Sequence, residues 1–131
     1  MTSKVTYSGN LRTEAVHLKS GSQIITDAPT DNHGKGEAFS PTDTVATALA
    51  SCMLTVMGIK ADALGIELKG TTAAVTKTMA SNPRRITKLE IDIVFPKTYP
   101  EKTRKILEHT ARTCPVFQSL HPEMEKAISF S

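Results

Sequence analysis

The stretch Phe39-Ser40-Pro41-Thr42-Asp43-Thr44-Val45-Ala46-Thr47-Ala48-Leu49-Ala50-Ser51-Cys52-Met53-Leu54-Thr55-Val56-Met57-Gly58-Ile59 decides how the rest of the chain must fold. Its opening, Ser40-Pro41-Thr42-Asp43, places a capping residue, a proline at the first helical position and an acid in the first turn, and so starts a helix. From Thr44 to Ile59 there is no charge. The helix is predicted to run to about Leu64 and to stop at Gly65. A membrane span needs about 18 or more apolar residues in a row. This run is shorter and is broken by Thr, Ser and Gly, so no membrane partner is expected. A helix apolar nearly all round must instead be buried on most sides within protein. A chain of 131 residues has little else to cover such a rod. The Ala and Ser positions let another backbone approach closely, so an obligate dimer with this helix at or near the interface is expected.

Outward from the helix, the N-terminal side is polar and β-branched, broken at Gly9-Asn10 and Ser20-Gly21. It predicts short strands at about Val5–Ser8, Leu11–Leu18 and Gln23–Thr26. The turn-forming run from Asp27 to Gly36 is a loop, and a long one for so small a domain. On the C-terminal side, Glu67 to Lys77 reads as a strand and Ser81-Asn82-Pro83 as a turn. Leu89, Ile91, Ile93 and Phe95 alternate with polar residues, giving a half-buried strand. A second helix is predicted over about Glu101–Thr113, ended by Cys114-Pro115 because the residue before proline avoids the helical region. Val116–Leu120 reads as a short helix and Met124–Phe130 as a last strand. Strands packed on a buried helix give an α+β chain, with residues 1–131 forming one domain.

Composition narrows the function classes. Hydrophobic residues make up 39%, charged residues 22%, and mean hydropathy is −0.19, which excludes collagen-like and disordered chains. Aromatics are 5% with no Trp, so the core is aliphatic, with Ala and Met filling gaps. The net charge of +3 is dispersed; its largest cluster, Arg84-Arg85 with Lys77 and Lys88, is too small to predict a nucleic-acid partner. The four histidines, His17, His33, His109 and His121, stand singly, so no metal and no cofactor are expected. Met1 to Tyr7 lacks the apolar core of a signal peptide, which predicts a cytoplasmic protein with reduced thiols.

The two cysteines are then the chemistry-bearing residues. No Cys-x-x-Cys is present, so zinc ribbons and thioredoxin-type motifs are excluded. Cys52 lies mid-helix in an apolar run, where burial alone makes a thiol inert and reactivity requires a nearby cation. Cys114 sits at a helix junction, where free backbone N–H groups favour a thiolate; taken alone, that would make Cys114 the nucleophile. Which of the two attacks is left open by these settings. An apolar Cys and a Cys-Pro Cys can meet in the fold and form one disulfide, or both can be small buried hydrophobes.

The Pro-started helix from Phe39 to Cys52, followed by Cys114-Pro115-Val116, resembles the OsmC/Ohr family, named for osmotically inducible protein and organic hydroperoxide resistance, over nearly the whole chain. The resemblance implies an OsmC-like fold, with antiparallel sheets wrapped around a buried central helix in an intertwined homodimer. It implies a thiol peroxidase that reduces organic hydroperoxides, and hydrogen peroxide less efficiently. Cys52 matches the family's peroxide-attacking cysteine and Cys114 its resolving cysteine, with an external dithiol restoring both. The family activates its cysteine with an Arg held by a Glu near the start of the helix. Arg12 is the candidate cation, from the same or the partner subunit, ahead of Arg84, Arg85, Arg104 and Arg112. Its plain alternative is a solvent-facing strand Arg. Thr42 stands where peroxidase members usually carry Glu. That departure supports the competing expectation of a non-catalytic dimer that binds a small apolar ligand or senses oxidants.

Overall fold

The computed structural model describes residues 1–131, which divide into two compact units, Met1–Val45 and Ala46–Ser131. The first holds an antiparallel sheet of three strands, β1 (Ser3–Gly9), β2 (Arg12–His17) and β3 (Gln23–Asp27), in chain order. The β1–β2 turn passes through Gly9, Asn10 and Leu11, all at positive φ. Asn tolerates that region, whereas Leu does not do so readily; the Leu11 N–H donates to the Tyr7 hydroxyl at 3.2 Å. The register sets Arg12 opposite Asp27.

Beyond β3 the chain forms a loop with one turn of 3-10 helix at Thr30–Asn32. Gly34 in this loop has no room for a side chain, since a Cβ there would lie 1.7 Å from the Ala28 carbonyl oxygen. The loop leads to Ser40 and to α1 (Pro41–Leu64), which begins in this unit and continues into the next. The only buried residues in Met1–Val45 are Asp27 and Ser40. Val5, Tyr7, Ile24 and Ile25 of the sheet are all exposed.

The second unit contains the rest of α1, then β4 (Thr72–Ala80), β5 (Arg85–Val94), α2 (Glu101–Ala111), α3 (Pro115–Ser119) and β6 (Glu125–Phe130). The core is one hydrophobic cluster. Leu49, Met53, Met57 and Ala61 of α1 recur at helical spacing, and Leu89, Ile91 and Ile93 of β5 recur at every second residue. Leu107 and Ala111 of α2, Tyr99 and Cys114 complete it.

The α+β expectation holds, with two sheets and three helices. One pairing departs from it. The second sheet runs β4-β5-β6, with β4–β5 antiparallel but β5–β6 parallel. The reason is the connection: α2 and α3 lie between β5 and β6, and a helical crossover returns the chain in the same direction. The strand predicted from Glu67 begins only at Thr72. The Glu67 carboxylate accepts the Lys69 N–H at 2.9 Å, the Thr71 hydroxyl donates to the Leu68 carbonyl, and Gly70 takes φ 95°, so this segment turns instead of extending.

α1 buries one stripe and leaves Val45, Ile59 and Leu64 exposed. Its most apolar 18 residues average a hydropathy of 1.5, so by length and composition alone it matches a membrane span. Its buried stripe within the Leu89–Ile93 cluster is that of a core helix.

Candidate active site

The Cys52–Cys114 pair lies in the second unit. α1 carries Cys52 at a half-buried position next to the fully buried Met53. α2 ends at Ala111, and the Cys114 backbone (φ −62°, ψ 143°) turns out of the helix as the following proline requires. Cys114 then caps α3: its Sγ accepts the Phe117 N–H at 3.3 Å, and its carbonyl accepts the Gln118 N–H at 3.2 Å. Both cysteines are free thiols, and Cys52 packs against the hydrophobic cluster that contains Cys114.

Burial pushes the Cys114 thiol up to about 11. The Phe117 and Val116 N–H groups pull the other way, while the adjoining Cys52 adds to the rise. Junction N–H groups alone predicted a thiolate at Cys114. Desolvation outweighs them, because the sulfur is wholly shielded from water.

Arg12 belongs to the first unit and is not a lone solvent-facing residue. Its Nε donates to Asp27 Oδ1 at 2.7 Å and its terminal nitrogen to Oδ2 at 2.8 Å, a bidentate pair. Glu37 lies 3.7 Å from the same guanidinium. The Arg12 hydrogen bond holds Asp27 below the usual carboxylate value of 3.8, against the opposing cost of burial. The same bond raises Arg12 further. A cleft of about 180 Å³ adjoins the pair, lined also by Lys35, Glu37 and Asn10.

Asp27 was not among the residues singled out from sequence, where it marked only the start of a loop. Its signal was the hairpin register, which sets it directly across from Arg12.

The other arginines have partners of their own. Arg85 donates to the Ser81 and Pro83 carbonyls, Arg104 to Glu108 and the Phe130 carbonyl, and Arg112 lies over the Phe130 ring. At the start of α1, the Ser40 N–H donates to Asp43 Oδ2 and the Asp43 N–H to Ser40 Oγ, both at 3.0 Å. This reciprocal cap uses Asp43, while the Thr42 hydroxyl bonds Ser40 Oγ at 3.2 Å.

A family model described as OsmC-like protein matches residues 34–128. The chain belongs to the OsmC-like family. A crystal structure from Psychrobacter arcticus 273-4, described as an osmotic stress induced and detoxification response protein, is 56% identical to this OsmC-like chain. It superposes with a TM-score of 0.97 over 100% of this chain and 96% of that one. An organic hydroperoxide resistance protein OsmC from Legionella pneumophila is 15% identical, with a TM-score of 0.78 over 100% and 97% of the two chains. A Vibrio cholerae organic hydroperoxide resistance protein, with captopril bound in one of its active sites, is 14% identical with a TM-score of 0.77, over 99% and 91%. At those lower identities the likeness is one of fold. No curated protein matches the sequence.

Proposed function

We propose that this chain is a thiol-dependent peroxidase that reduces organic hydroperoxides, working as a homodimer in the cytoplasm. The observation that carries the reading is the placing of both thiols at one hydrophobic cluster, in a family whose structural neighbours include organic hydroperoxide resistance proteins. The Cys52 thiolate attacks the peroxide O–O bond; an S–O bond forms, the O–O bond breaks, and the alkoxide takes a proton and leaves as an alcohol. Cys114 then attacks the sulfenic acid, the S–O bond breaks, and water leaves as the disulfide forms. An external dithiol returns both thiols and is itself oxidised to its disulfide.

Arg12 is the proposed cation that favours the thiolate, and Asp27 is the carboxylate that holds its guanidinium in place of a Glu at position 42. The apolar side chains near the thiols, Val116, Phe117 and Leu54, favour an alkyl peroxide over hydrogen peroxide. Each buried CH₂ of such a substrate contributes about 0.8 kcal/mol. The homodimer reading draws on the uncovered apolar residues of α1 and of the first sheet.

Treating the reduced protein with one equivalent of an organic hydroperoxide tests the reading. A loss of about 2 Da with a peptide joining Cys52 to Cys114 is expected. In Cys52→Ser, peroxide consumption should vanish. Both thiols free and the peroxide unspent would overturn the peroxidase reading in favour of a ligand-binding or oxidant-sensing dimer.

A further inference from the structure

Cys114 stands at a junction that one residue holds from both sides. α2 ends at Ala111, and the chain tightens beyond it as the Arg112 N–H donates to the His109 carbonyl at 3.2 Å and the Thr113 N–H to the Thr110 carbonyl at 3.0 Å. At Cys114 the backbone leaves the helical region, and Pro115 starts α3. Gln118 then reaches back twice. Its backbone N–H donates to the Cys114 carbonyl at 3.2 Å, and its side-chain Nε2 donates to the Arg112 carbonyl, also at 3.2 Å. A carbonyl can only accept, so it is the nitrogen of the Gln118 amide that faces Arg112.

Both ends of this bracket are anchored. The Arg112 guanidinium lies 5.4 Å over the Phe130 ring of β6, and Lys126 of β6 lies 5.3 Å over the Phe117 ring of α3. The Ser119 hydroxyl donates to the Pro115 carbonyl at 2.8 Å, which ties the last residue of α3 to its first. Inside the bracket, the Cys114 sulfur accepts the Phe117 N–H at 3.3 Å and is fully buried in the cluster that Cys52 packs against. Gln118 itself is exposed, so core packing does not account for where its side chain lies.

We propose that Gln118 is a positioning residue for Cys114: its side-chain bond to Arg112 closes a bracket over residues 113–115 and keeps the Cys114 sulfur in the cluster shared with Cys52, ready for the disulfide. The inference deepens the peroxidase reading and takes from it the use of that disulfide. In that use the Cys114 sulfur bonds the sulfur of the Cys52 sulfenic acid and the S–O bond breaks. The departing hydroxyl leaves with the Cys114 hydrogen as water. Closure of this kind depends on how well the two sulfurs are already held in reach. Without the bracket the junction samples more conformations, and forming the disulfide must then order it.

Equilibration in glutathione redox buffers at pH 7 measures this as the effective concentration of Cys114 toward Cys52. Two protein thiols are oxidised to the disulfide while one glutathione disulfide is reduced to two thiols. Three proteins are compared: wild type, Gln118→Leu, which is neutral and has no donor, and Gln118→Lys, which keeps an N–H donor. The Leu variant should show an effective concentration about fivefold lower, the ratio expected for one lost hydrogen bond. The Lys variant should stay within about twofold of wild type, as for an ordinary surface substitution. A purely structural role, felt equally in both redox states, would lower the melting temperature and leave the effective concentration unmoved.

An effective concentration unchanged or raised in the Leu variant would overturn the proposal, as would a Lys variant displaced as far as Leu. A wild type that forms no disulfide in these buffers overturns it too, because the two thiols then do not meet. The equilibria involve no peroxide. A chain that leaves hydroperoxides unspent yet shows the donor-dependent shift keeps the bracket and loses the peroxidase reading. A peroxidase whose Leu variant matches wild type does the reverse.

Discussion

Arg12 and Asp27 face each other across neighbouring strands, and two guanidinium nitrogens meet two carboxylate oxygens. Asp27 is also one of only two buried residues in its unit. Because the folded state lowers its proton affinity, the pair contributes stability that is present above the ordinary carboxylate value of 3.8 and is lost as pH falls through the lower folded value. Thermal melts from pH 7 to pH 3 should show this as an acid-side decline. Asp27→Asn should lower the melting temperature at pH 7 and flatten that decline. An Asn variant with an unchanged pH profile would mean that the pair does not couple to folding. Residue chemistry was legible where one side chain announces it: a cysteine in an apolar helix and a cysteine before proline need no partner to be noticed. Asp27 needed one. Its importance comes from register, and nothing in the run Asp27-Ala28-Pro29 distinguishes a clamp from a turn. The setting of Cys114 was only half legible for a related reason. The backbone N–H groups beside it are visible in the sequence, but the burial that outweighs them is not.

At the scale of elements, α1 was readable to the residue at its start because its signals are local. Ser40, Pro41 and Asp43 act within one turn, and the reciprocal bonds between Ser40 and Asp43 are the result. Ser40→Ala should cost about 1 kcal/mol. For a chain of this size that is a drop of roughly 3–5 °C in melting temperature. Differential scanning calorimetry measures it, and an unchanged melt would show that the cap is redundant. β5 was equally readable, since Leu89, Ile91 and Ile93 alternate with polar neighbours and end up fully buried. The start of β4 was not. A carboxylate folding back onto the backbone at Lys69 and a positive φ at Gly70 outweigh the β-branched composition around them. Alternation also names faces without naming directions. That is why the parallel pairing of β5 with β6 emerged only once α2 and α3 were placed between them.

At the scale of the molecule, a three-stranded sheet is independently stable only with an apolar face packed against something. The β1–β3 sheet leaves Val5, Tyr7, Ile24 and Ile25 exposed, and α1 adds Ile59 and Leu64. The sequence pointed to a second copy through α1 alone, an apolar rod that a chain of this length has little else to cover. The matching need of the sheet was hidden, because alternating strands predict one covered face and do not say whose atoms cover it. Light scattering should give twice the 14.2 kDa chain mass. The melting temperature should rise with protein concentration, as mass action requires of a linked dimer. A concentration-independent melt at the monomer mass would remove the homodimer from the proposal.

The same bare sheet bears on the order of the folding reaction. The second unit has its own hydrophobic cluster and can condense as a first-order process. The first unit has only Asp27 and Ser40 buried, so on the proposed homodimer its ordering waits on an encounter between two chains. In refolding after a denaturant jump, the helical signal should return at a rate indifferent to dilution. The strand signal from residues 3–27 should return with a half-time that shortens as more protein is added.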